Sequence, residues 1–211
     1  HNAHRRQRQM CIRDRVIVGS GIMAENLTND NAVRLLANTI ATGAGLFVLI
    51  TSFANISGAH LNPFVSLSMY LTKKIKGKEL LTYVPAQILG CLLGVMLANV
   101  FFEHSIIELS TKNRDGFHIF LSEIVATFGL IFIIFATLKD GKTTVAACVA
   151  TYISAGYWFT SSTSFANPAV AIARTFTDSF TGINYLNTPT YIFAELLGAI
   201  AAVYIIKRLI K

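Results

Sequence analysis

Apolar residues fall in five long runs, 32–55, 80–102, 120–138, 143–159 and 189–206, with a shorter one at 16–23. Each long run approaches the roughly 20 residues that an α-helix needs to cross the hydrocarbon core. The turns between them are compact and polar: Lys73, Lys74, Lys76 and Lys78 in one, Lys139-Asp140-Gly141-Lys142 in another, and mixed-charge loops at 103–116 and 175–189. Two runs are followed by something other than a polar turn. Ser57-Gly58-Ala59-His60-Leu61-Asn62-Pro63-Phe64-Val65 and Ser161-Ser162-Thr163-Ser164-Phe165-Ala166-Asn167-Pro168-Ala169-Val170 each break the apolar pattern and restart it at an Asn-Pro pair. Asn accepts hydrogen bonds from the first free amides of a helix, and Pro fits the first helical position, where no N–H is needed. Each pair therefore predicts a helix start inside a hydrophobic half, and a short helix after it, the first ending near Leu71.

One Asn-Pro pair is an ordinary cap; two in register are a repeat. Asn62 and Asn167 are 105 residues apart, and Tyr83-Val84-Pro85-Ala86-Gln87-Ile88-Leu89-Gly90 matches Tyr191-Ile192-Phe193-Ala194-Glu195-Leu196-Leu197-Gly198 at an offset of 108. The halves, about 16–110 and 117–211, each hold three spans and one half-helix, and an odd number of crossings inverts the second copy in the bilayer. Small residues at Gly43-Ala44-Gly45, Gly90 and Gly94 allow close helix contact.

Composition fits this pattern: of 211 residues, 53% are hydrophobic and 14% charged. The net charge of +7 does not indicate a nucleic-acid partner, because the cations cluster between apolar runs. With cytoplasmic termini only Arg34, Lys112, Arg114 and Arg174 lie outside, as the positive-inside tendency favours, and the partner is a lipid bilayer. Three cysteines, Cys11, Cys91 and Cys148, offer neither a disulfide framework nor metal-ligand spacing, so no metal or cofactor is expected. Residues 1–15, HNAHRRQRQMCIRDR, are basic and aperiodic. They read as a leader outside the fold, which would then occupy 16–211 with a shortened first helix. The position matching Glu123 in the first half falls at 6 or 7, inside that leader.

Broken backbone is tolerated in a membrane only where it lines water or is buried in protein. Two half-helices from inverted repeats should meet near the midplane, with their positive ends and the amides of Asn62 and Asn167 around one spot. Such a centre donates to neutral oxygen-bearing solutes and repels cations. The carbonyls of Ser57, Gly58, Ala59 and His60, and of Thr163, Ser164 and Phe165, would line it as acceptors.

SGAHLNP and ANPA, each heading a half-helix of an inverted repeat, resemble the aquaporin and aquaglyceroporin family over about residues 16–207. The resemblance implies an all-α membrane protein with an aquaporin-like inverted repeat, six transmembrane helices plus two half-helices, a homotetramer with a pore per subunit, and passive flow of water or small uncharged solutes without protons or ions. The pore motif would be Asn62, Pro63, Phe64, Asn167, Pro168 and Ala169. Where the family usually carries a filter Arg after Asn-Pro-Ala, this chain has Val170, and Phe64 replaces the usual Ala of the first motif. The other filter positions fall on Thr42, on Ala155 (Gly156 if the alignment slips by one) and on Ser164. This set is wide and weakly polar, and suits glycerol-like polyols, urea and neutral metalloid acids such as arsenous acid. Arg174, seven residues after Asn167, is expected at the outer mouth, or else paired with Asp178 on a solvated face. Glu123 and Glu195 lie inside spans; the family uses an acid at the position of Glu123 to accept bonds from the broken loop, and Gln87 is the repeat partner of Glu195.

Two other classes compete. A proton-coupled transporter also uses broken helices, but needs a titratable group where this chain has Asn. An intramembrane enzyme would use His60 with Ser161, Ser162 or Ser164, but the sequence shows no acid to order them.

Overall fold

The computed structural model describes residues 2–209; His1, Ile210 and Lys211, the last cation of the C-terminal cluster among them, lie outside the described residues. All regular structure in the described chain is helical, with no strand: α1 Asn2–Leu27, α2 Asn31–Ser57, α3 Pro63–Leu71, α4 Gly77–Phe101, α5 Phe117–Thr137, α6 Lys142–Phe159, α7 Pro168–Ala173 and α8 Thr188–Leu209, with a 3₁₀ turn Arg174–Phe176 after α7. Helices α2, α4, α5 and α8 are long and apolar enough to cross a membrane. They carry apolar side chains outward as well as inward: Leu36, Ile40 and Val48 of α2 and Phe193, Ile200 and Tyr204 of α8 are exposed, as expected of a bundle dissolved in lipid.

The inverted repeat is visible in the packing. Helix α1 lies against α4 and α2, and α5 against α8 and α6; α3 rests on α4 and α8, α7 on α8 and α4, and α2 joins the halves through α6. The closest approaches use the matched glycines. A Cβ at Gly90 would meet the Gln7 carbonyl and lie 2.6 Å from the Met10 Cβ of α1, and one at Gly198 would meet the Ile124 carbonyl and lie 3.0 Å from the Phe128 nitrogen of α5. Only a residue without a side chain lets the backbones come this near.

The structure departs from the sequence reading at the N-terminus. Residues 2–15 do not lie apart from the fold but form the first half of α1, with Gln9, Met10, Arg13 and Asp14 buried. Met10, Arg13, Asp14, Ile17 and Val18 recur at three- and four-residue spacing, so helical geometry puts them on one buried face despite their mixed polarity. Arg13 and Asp14 compensate each other there at 3.0 Å. Of the two positions matched to Glu123, the Arg6 side chain lies outside the described residues.

Candidate functional site

Each broken loop turns back through left-handed backbone at matching places: Gly58 and Ala59 (φ 76° and 45°) in the first, Thr163 and Ser164 (φ 62° and 51°) in the second. The offset is again 105 residues, so the repeat extends to conformation where it is lost in sequence. Each loop then delivers an Asn to a helix start. The Asn62 Oδ1 accepts from the Phe64 amide at 2.9 Å, and the Asn167 Oδ1 accepts from the Ala169 amide at 3.2 Å. Their Nδ2 groups reach across: Asn62 donates to the Ala166 carbonyl at 2.5 Å, and Asn167 donates to the Leu61 carbonyl at 2.7 Å. Each amide carries two N–H donors, so one remains on each Asn after this exchange.

Buried polar groups hold the second loop from behind. Glu123 of α5 accepts from the Phe165 amide at 3.0 Å and the Ala166 amide at 2.7 Å, and Glu195 of α8 accepts from the Asn167 amide at 2.8 Å. Three consecutive amides that no helix satisfies are thus bound by two carboxyl groups. In the first loop Gln87, the repeat partner of Glu195, donates to the His60 carbonyl and, at 3.1 Å, to the Ser66 hydroxyl, and Gln9 accepts from Ser57 at 2.9 Å. An amide can donate where a carboxylate cannot, so the first loop is held by a carbonyl and the second by its N–H groups.

A cavity of about 350 Å³ runs past both Asn residues. At one end it reaches Lys74 and Ile75 after α3 and Leu138 and Lys142 around the α5–α6 turn; along its middle it is lined by Leu46, Val65, Val149 and Ile153; at the other end stand Thr42, Tyr157, Ser164, Val170 and Arg174. Four cations, Arg13, Lys74, Lys142 and Arg174, line it, and no carboxylate does so among the described residues. Arg13 reaches in from α1 and donates to the Leu61 carbonyl.

Several expected site residues stand elsewhere. Ala155 is exposed on the outer face of α6 with Thr151, Trp158 and Phe159, whereas Ile153, Gly156 and Tyr157 form its buried face. Counting back twelve from Asn167 landed one position short of the inward face. Gly156 instead abuts Ser164, whose Cβ would lie 2.7 Å from any Cβ placed there, and Tyr157 enters the cavity and shares a 3.1 Å hydrogen bond with Thr42. Pro63, Phe64, Pro168 and Ala169 lie behind the Asn residues rather than on the cavity wall, with the half-buried Phe64 packed against the core. Of the residues whose carbonyls were expected as pore acceptors, Gly58, Ala59, His60, Ser164 and Phe165 line the cavity and Ser57 and Thr163 do not. The His60 carbonyl already accepts from Gln87, and the Ala59 carbonyl accepts from the Leu61 amide at 2.8 Å.

Arg174 lines the cavity at the end away from Lys74 and Lys142 and is not paired with Asp178. It is 3% exposed, and its guanidinium lies over the Phe165 ring, 4.1 Å from the centroid. Asp178 is taken by Thr111, whose amide and hydroxyl donate to it at 2.8 and 3.0 Å. Arg114 faces the same ring at 5.4 Å, fixed by bonds to the carbonyls of Gly182 (2.8 Å) and Phe180 (3.0 Å). Burial pushes the Arg114 guanidinium below its ordinary pKa, and the nearby Arg174 charge adds to that push. Sequence reasoning missed Tyr157 altogether; its spacing from Ile153 on α6 was the available signal.

The family model described as Major intrinsic protein matches residues 15–155, starting where the basic segment of α1 ends. The chain is 47% identical over 195 residues to Aquaglyceroporin AqpS of Rhizobium meliloti (strain 1021), covering 92% of this chain and 84% of that one. It is 28% identical over 194 residues to Aquaporin-4 of Rattus norvegicus, covering 88% of this chain and 59% of that protein. Among solved structures, the aquaglyceroporin from Plasmodium falciparum superposes with a TM-score of 0.79 over 99% of this chain and 96% of its own, at 19% identity, a likeness of fold. Two helix starts meeting at a cavity, in a chain with these relatives, place it in the major intrinsic protein family.

Proposed function

We propose that Thr42, Tyr157, Ser164 and Val170 form the narrow part of a pore wide enough for polyols, urea and neutral metalloid acids such as arsenous acid. The chain is a passive channel for water and glycerol-like solutes and not an enzyme. The observation that carries the finer reading is Val170: at 3% exposure it lines the cavity beside Ser164, where an aliphatic side chain takes less room than a guanidinium and holds no water. The spare N–H on each of Asn62 and Asn167 would donate to a passing hydroxyl, as water would, so a solute loses little hydrogen bonding on entry. Lys74, Lys142 and Arg174, none paired with a carboxylate among the described residues, and two half-helix N-termini around one cavity oppose protons and metal cations.

Homotetrameric assembly and cytoplasmic termini in the plasma membrane belong to the same proposal, the second supported by lysines at 73–78 and 139–142 on one side. Stopped-flow measurements on proteoliposomes test the solute range. The parent should pass glycerol, urea and arsenous acid, and Val170→Arg should cut these severalfold more than water; a parent that passes water alone defeats the reading.

A further inference from the structure

We propose that Arg174 is the cation barrier of this pore, displaced one helical turn from the position that Val170 occupies. This rests on the channel reading above and assigns its charge selectivity to a particular side chain.

Three observations carry it. Arg174 is buried yet lines the cavity, four residues after Val170 at the start of the 3₁₀ turn that follows α7. Its guanidinium is held by a ring and not by a carboxylate: Phe165 lies beneath it, with the Tyr191 ring 4.9 Å from Phe165 on the core side. Its Nε is buried without a hydrogen-bond partner, and no carboxylate pairs with it among the described residues. A structural arginine in such surroundings would be neutralised or fully bonded, because an uncompensated buried charge is costly. Here the charge is left whole and positioned by stacking, the arrangement in which it acts most strongly on an ion in the cavity. The buried Ser164 hydroxyl, also without a partner, lines the same end. A neutral solute with several hydroxyls could therefore exchange bonds with Ser164 and Arg174 in turn, whereas a cation meets the guanidinium before it reaches the Asn pair.

The test is the ratio of cation leak to glycerol uptake in proteoliposomes, with potassium flux read by a valinomycin-free electrode assay and glycerol by light scattering. Arg174→Gln should raise that ratio at least about tenfold, since one fixed charge in a low-dielectric constriction is removed. Arg174→Lys, which keeps the charge, should stay near the parent. An unchanged ratio in Arg174→Gln overturns the proposal. If Arg174→Gln yields no folded protein, Arg174→Met decides in its place: a ratio raised at least about tenfold supports the barrier, and a ratio near the parent's overturns it. A parent without glycerol uptake overturns the channel reading beneath it, and is seen as missing uptake rather than as an unchanged ratio.

Discussion

Removing Glu123 tests the structure at the point where the second broken loop is held. Its carboxyl accepts from the amides of Phe165 and Ala166, both in a loop that supplies no backbone partner for them. Each buried donor left unsatisfied costs about 1–3 kcal/mol, so Glu123→Ala should lose about 2–6 kcal/mol. Glu123→Gln keeps one acceptor oxygen and turns an NH₂ toward the other amide, so it should lose about 1–3 kcal/mol. At roughly 2–4 °C per kcal/mol for a chain of this size, the alanine variant should unfold roughly 5–20 °C below the parent and the glutamine variant should fall between them. Heating detergent-solubilised protein and measuring the fraction that still elutes as a single species gives the shift. Glycerol flux should fall in the same order, because the loop also carries Asn167. An alanine variant that melts within a degree or two of the parent and conducts as well would refute the reasoning, and would mean that water satisfies these amides instead.

The buried Arg13–Asp14 pair sits in an otherwise packed face of α1, and replacing both with Leu should leave stability unchanged or raise it by about 1–4 kcal/mol, whereas Arg13→Leu alone should lower it, as read from the same heating curves. Thr163 is a β-branched residue at φ 62°, so Thr163→Gly should relieve roughly 1–2 kcal/mol of strain against a smaller entropic loss and raise the melting temperature slightly; a clear drop would refute this. Gly198→Ala should drive α8 off the Ile124 carbonyl and cost about 1–3 kcal/mol, with a matching loss at Gly90→Ala on the α1 side, measurable as lower yield and lower melting temperature.

The spans, the two helix starts and the repeat were legible because each rests on local chemistry: run length, Asn-Pro capping, and the match of Tyr83–Gly90 to Tyr191–Gly198. Glu123, Glu195 and Gln87 were legible for a related reason, since polar groups inside apolar spans need partners and the broken loops have groups to spare. What failed depended on register and on distant neighbours. Ala155 and Gly156 differ by one residue, or about 100° around α6, and a fixed offset through a loop of left-handed residues does not resolve that. The alternative that Arg174 pairs with Asp178 rested on their being four apart, but the helix ends in a 3₁₀ turn at Arg174–Phe176 and Asp178 turns to Thr111, 67 residues away. The basic start of α1 gave no periodic apolar signal, and only its packing on α4 and α2 shows that Gln9, Met10, Arg13 and Asp14 are buried there.

The crossed amides of Asn62 and Asn167 bear on how the two copies can diverge. Each grips a main-chain oxygen on the opposite loop, at Leu61 and Ala166, and every amino acid supplies that oxygen. This crossed pair therefore constrains only two side chains. Neighbouring positions differ between the copies, so His60 corresponds to Phe165 and Gly58 to Thr163 at the 105-residue offset while the joint persists. A repeat joined in this way can carry two unlike mouths without reopening its centre.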